Sequence, residues 1–138
     1  LRIAYVLPSL RTSGWQRYAE SLLPALAPHV EPHLVVAAAD APLAAGLFPD
    51  WPLHPLPAVQ DASLSGRRSR WKLLRALWRA RRLPLPPLHL VHSLEAYPAG
   101  LAGHVLAQRR GLPHVLTAHG TYAVLWARFP LDRRVYRR

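Results

Sequence analysis

Apolar residues in this chain come in short separated runs, and the spacing within them alternates between continuous and helical. Residues 3–7 (IAYVL) are uninterrupted, the pattern of a strand buried on both faces. Residues 8–14 have loop composition. From 15 to 27 the period becomes helical, with Tyr18, Leu22, Leu23 and Leu26 on one side. Pro24 is expected to kink or loosen the second half of that helix. Residues 33–38 predict a second strand and 41–47 a short helix. Residues 51–57 predict at most an irregular edge strand, because Pro52, Pro55 and Pro57 remove ladder donors. A polar, loop-like stretch covers 61–70, and 71–82 is strongly helical. Pro84, Pro86 and Pro87 end that helix and form a stiff connector. Residues 88–92 predict a strand. Pro98 suits the first turn of a helix over 99–110, and Gly111 suits its stop. Residues 114–118 predict another strand, and 125–138 the start of a further helix.

Strands that alternate with helices imply βαβ units, right-handed crossovers and a parallel sheet. The fold class is therefore α/β: one domain over residues 1–138, with a Rossmann-like parallel sheet and helices on both faces. No internal repeat or linker divides it. In such sheets ligands bind beyond the carboxyl ends of the strands. The run Val115-Leu116-Thr117-Ala118 ends at His119, followed by Gly120 and Thr121. A histidine there either meets a ligand or hydrogen-bonds a loop carbonyl. His92 ends the preceding strand in the same way, with Glu95 three residues on, close enough to orient a histidine or a sugar hydroxyl. Ser13-Gly14 lies where a phosphate-binding turn would open the first helix, though the full G-x-G-x-x-G spacing is missing and a plain tight turn is the other reading. Gly100 and Gly103, three apart, suit close helix–sheet packing.

Composition narrows the chemistry. The 138 residues hold no cysteine, which removes disulfides, thiolate metal sites and a cysteine nucleophile. His89 and His92 would point to opposite faces of a strand, so no metal site is expected. There is no G-x-S-x-G elbow and no close pair of carboxylates, so simple hydrolysis has little support. No run reaches the ~18 apolar residues of a membrane span. The absence of Met suggests a sequence trimmed at its N-terminus.

The net charge of +11, with seven acidic residues, favours anionic partners, although a codon bias toward arginine would give the same balance. The cations concentrate in the 71–82 helix. Lys72, Arg75, Arg79 and Arg82 fall on one face, Leu73, Leu74, Ala76, Leu77 and Ala80 on the other, with Trp71 and Trp78 at the boundary. Such a helix either packs its leucines and solvates its arginines, or meets anionic lipid headgroups. Arg67, Arg68, Arg70 and Arg81 add to the second option. Nucleic acid is not expected as a partner, because no helix-turn-helix, zinc-finger, RRM or KH signature is present.

Two segments resemble family 4 glycosyltransferases. RIAYVLPSLRTSGWQRYAESLLPAL is similar to their opening strand, glycine loop and first helix. LHLVHSLEAYPAGLAGHVLAQRRGLPHVLTAHGT is similar to their later strand–helix–strand unit with its histidine-bearing loop. The resemblance implies a GT-B architecture of two Rossmann-like domains across a cleft, of which this chain is the truncated N-terminal, acceptor-side half. It implies a nucleotide-sugar donor as substrate rather than a resident cofactor, a glycan or lipid-linked acceptor, and retaining transfer. It also implies that a C-terminal donor domain is missing and that the fragment is inactive without it.

By the same resemblance Ser13 and Gly14 lie near the donor diphosphate. His119 hydrogen-bonds the transferred sugar, and His92, Glu95, Gly120 and Thr121 line the cleft. The sequence departs from the family in having Ser13 for the first of two glycines, and Leu94 where the second motif often has a histidine. The expected location is cytoplasmic, peripheral to the inner membrane face. The competing class is a non-catalytic basic module docking on an anionic membrane or partner protein. A dehydrogenase-type Rossmann domain fits less well, because Asp40 comes late for a ribose-binding acid.

Overall fold

The computed structural model describes residues 1–11, 13–57 and 67–117. The elements run β1 (Arg2–Val6), α1 (Ser13–Leu26), β2 (Glu31–Ala37), a 3-10 turn (Ala38–Asp40), α2 (Ala41–Leu47), β3 (Leu53–Leu56), α3 (Arg67–Arg81), β4 (Leu90–Ser93), α4 (Ala99–Arg110) and β5 (His114–Leu116). The five strands form one sheet in the order β3-β2-β1-β4-β5, every neighbouring pair parallel. The sequence-based fold class holds: the chain is a Rossmann-like α/β layer structure.

β1 is hydrogen-bonded on both sides and covered on both faces, so its alternate residues feed two cores. Ile3 and Tyr5 pack with Leu23, Leu34 and Phe48 on the face of α1 and α2. Ala4 and Val6 pack with Val35, Val91, Ala102 and Leu106 on the face of α3 and α4. The second layer is tight because α4 presents small residues. A Cβ added at Gly100 would lie 2.5 Å from the Glu95 carbonyl oxygen and 2.6 Å from Leu116 Cδ1. One added at Gly103 would run into Ser93 Oγ. The helix ends where Gly111 takes the left-handed conformation (φ 64°) and its N–H returns to the carbonyls of Ala107 and Gln108.

Two local expectations are revised. Pro24 neither breaks nor shortens α1, which continues to Leu26. Glu20 and Pro24 both lie on the exposed side, where the carbonyl that loses its donor can meet water. α3 begins at Arg67, inside the stretch expected to be loop. The proline connector after α3 has no ladder partners, and a side chain supplies them. The Arg110 guanidinium donates to the carbonyls of Leu83 (2.9 Å), Leu85 (3.2 Å) and Pro86 (3.3 Å). The helix expected over 125–138 lies outside the described residues.

Gly103→Ala forces Ser93 off its bond to His114 or lifts α4 from the sheet. It should lower the unfolding free energy by about 1–3 kcal/mol, read as a lower denaturant midpoint at unchanged slope.

Candidate functional site

Strand order reverses between β1 and β4: the chain leaves β1 toward β2 and β3, then crosses back to β4 and β5. In open parallel sheets the carboxyl ends of the strands at such a switch point are where a ligand crevice forms. Its walls are the loop from β1 to α1 and the segment from Ser93 to Pro98.

The first wall is fixed by a buried acid. Asp40, at the end of the 3-10 turn after β2, accepts the Leu10 N–H (3.2 Å) and the Arg11 Nε–H (2.9 Å). Arg11 also donates to the Ala39 carbonyl (2.9 Å). Asp40 is 3% exposed and the arginine side chain 68%, so the carboxylate provides the fixed end and the cation sits in solvent. The loop is thereby tied to the neighbouring strand and delivers the chain to α1 at Ser13. Gly14 is exposed with nothing within 4 Å of a Cβ placed on it, leaving the start of the helix open. The first N–H groups of a helix lack internal partners and carry the positive end of its dipole, a place suited to an anion. Asp40 and Arg11 were not legible as a clamp, because the partners lie 29 residues apart and neither belongs to a motif.

The second wall carries His92 and Glu95. His92 projects to the α1 face, level with Tyr5 on β1, their rings 5.5 Å apart. Its Nε2 pairs with Thr117 Oγ1 at 2.7 Å, which ties β4 to the residue just past β5. Burial pushes the His92 pKa down, so the ring is neutral at pH 7 and keeps one donor and one acceptor. On the opposite face Ser93 Oγ pairs with His114 Nε2 (2.9 Å). His114 is likewise pushed down, by burial first and then by His104 and His92. Glu95 is 8% exposed. Burial drives its pKa up from 4.5 to about 7, against the opposing pull of the Ala99 N–H at the start of α4. A buried carboxyl that holds its proton near neutrality can donate as well as accept.

The strand carrying His92 runs one residue further, to Ser93, so the imidazole lies within the ladder rather than at its tip. His119, Gly120 and Thr121 lie outside the described residues. Among the described residues no group of three His, Asp or Glu could hold a metal ion. His89 lies apart from the rim, its Nδ1 accepting the Arg2 N–H at 2.9 Å.

On the α3 side, the structure corrects the expected helix faces. Leu73, Ala76 and Ala80 are fully buried, but Leu74 is 45% exposed. It turns about 100° from Leu73, away from the sheet. Trp71 and Trp78, expected at the boundary between the cationic and apolar faces, are exposed, at 66% and 50%. A hollow of about 480 Å³ lies between β3 and the end of this helix. Another, of about 630 Å³, lies among Trp78, Arg81, Arg82 and Arg109.

A family model described as a glycosyl transferase 4-like domain matches residues 13–138. No curated protein and no solved structure matches the chain.

Glu95→Gln tests the buried carboxyl. The folded pKa lies above the unfolded one, so the stability contributed by protonation is complete below pH 4.5 and lost as pH rises through 7. Above that pH the wild type carries a buried anion that the amide does not, a difference on the order of 3 kcal/mol. The variant should be the more stable at pH 8, with the difference vanishing toward pH 4.5, read from paired denaturation curves.

Proposed function

The chain belongs to the glycosyl transferase 4-like family, and from that premise we propose that it is the acceptor-side half of a retaining glycosyltransferase. Its donor is a nucleotide sugar, bound as a substrate, and its acceptor a glycan or a lipid-linked glycan. The observation that carries this reading is the reversal of strand order between β1 and β4, which brings an open helix start and a protonatable buried carboxyl to the carboxyl ends of neighbouring strands.

In this reading the amides of Ser13 and Gly14 face the donor diphosphate as it departs. Preorganised N–H donors stabilise negative charge where it develops. His119, two residues beyond Thr117, hydrogen-bonds the transferred sugar and positions it; Gly120 and Thr121 complete that turn. His92 and Glu95 line the acceptor side, the neutral imidazole and the carboxyl offering both donors and acceptors to hydroxyl groups. The transfer breaks the bond from the sugar C1 to the diphosphate oxygen. It forms a bond from C1 to the acceptor oxygen on the same face, and the hydroxyl proton leaves with the diphosphate. A second Rossmann-like domain supplies most of the donor contacts, so residues 1–138 alone do not turn over. The enzyme works in the cytoplasm, at the inner membrane face.

The test joins this chain to its donor domain. His119→Ala should then reduce turnover by about 100-fold, the scale of a lost positioning contact, while circular dichroism stays unchanged. Undiminished turnover removes the assigned role.

A further inference from the structure

α3 carries two apolar stripes, and the core takes only one of them. Leu73, Ala76, Leu77 and Ala80 meet the sheet and α4. Trp71, Leu74 and Trp78 stand at 66%, 45% and 50% exposure. Their spacing of three and four residues puts them on one line of the helix, roughly 140° around from the buried stripe. A helix that only covers a sheet has no need of a second stripe containing two indoles.

The surroundings of that stripe are cationic throughout. No acidic residue occurs between Asp61 and Glu95. Arg75 and Arg82 flank the stripe on one side and Arg81 on the other. The Arg82 guanidinium lies 4.2 Å from the Trp78 ring centroid. Beyond it the hollow of about 630 Å³ is lined by Trp78, Arg81, Arg82 and Arg109, three guanidinium groups with no carboxylate among them. An apolar protein groove would leave this density of charge unpaired, and an acidic one would have to match every guanidinium with a carboxylate. A second copy of the same helix would bring like charges together. Duplex nucleic acid would leave Leu74 and the indole faces without a partner, and single-stranded bases stacked on the indoles would still leave Leu74 bare. An anionic bilayer surface satisfies both components at once, with indoles at headgroup depth and guanidinium groups on phosphates.

We propose that this face of α3 docks on an anionic lipid bilayer, Trp71, Leu74 and Trp78 entering the headgroup layer and the hollow beside Trp78 holding a lipid phosphate. Among the described residues no helix is long and apolar enough to cross a membrane, so the contact is peripheral. Because α3 lies along the sheet, docking sets the sheet parallel to the bilayer. The β1–β4 crevice then opens sideways, along the surface. The docking does not depend on the proposed sugar transfer.

The experiment incubates the 138-residue chain with phosphatidylcholine vesicles, with and without phosphatidylglycerol. The chain should sediment with the anionic vesicles and not the neutral ones, and its tryptophan emission should shift to the blue. The double variant Trp71→Ser, Trp78→Ser should bind about tenfold more weakly or worse, and the triple variant Arg81→Gln, Arg82→Gln, Arg109→Gln should lose the preference for anionic lipid. Unchanged denaturation midpoints confirm that both remain folded. Three results overturn the proposal: no binding to anionic vesicles at low salt, full binding by the tryptophan variant, or self-association in sedimentation velocity that the tryptophan substitutions abolish.

Discussion

Parallel pairing of β1 with β4 is the constraint on which the rest depends. The two strands are far apart in sequence, and their ladder joins Ile3 to Leu90 and Val6 to Ser93. Parallel strands cannot be joined by a tight turn, so each must be followed by a crossover packed on a face of the sheet. Both faces of β1 must then be apolar, and both cores follow from that one strand. The pairing also places the reversal of strand order between β1 and β4, and so fixes where the crevice lies. Small residues on α4 complete the arrangement, because Gly100 and Gly103 let the helix approach closely enough to cover β4.

What was legible in the sequence was what a single strand or helix decides for itself. β1 and β2 announce themselves because burial on both faces leaves no room for polar alternation. α2 and α4 begin and end where expected, and Gly111 takes the left-handed turn that a helix stop requires. α3 was misread for a physical reason. Its apolar residues occupy more than one stripe, and a periodic pattern cannot say which stripe the sheet will cover. Leu74 was assigned inward beside Leu73; the contacts with the sheet and α4 select Leu73, Ala76, Leu77 and Ala80 instead.

The rim was only half legible. His92 was placed at the end of a strand and Glu95 in the loop after it, but nothing local in the sequence announces that Glu95 is buried enough to keep its proton near neutrality. Asp40 was weighed as a displaced ribose ligand, whereas its oxygens are already engaged by Leu10 and Arg11. Burial at the rim pushes His92 toward the neutral form and Glu95 toward the protonated one. The surplus cations gather on α3, so one surface offers directional hydrogen-bonding groups and the other charge beside exposed apolar rings.

Arg110 gives that division a mechanical side. A single guanidinium fork reaches three carbonyls, those of Leu83, Leu85 and Pro86, in a segment whose prolines cannot bond among themselves. A lysine, with one compact ammonium, could not bridge the same carbonyls. The last turn of α4 is thereby tied to the connector that follows α3 by a side chain instead of by a ladder. One residue's hydrogen bonds thus link the helix that starts beside Glu95 to the end of the helix that carries the exposed tryptophans.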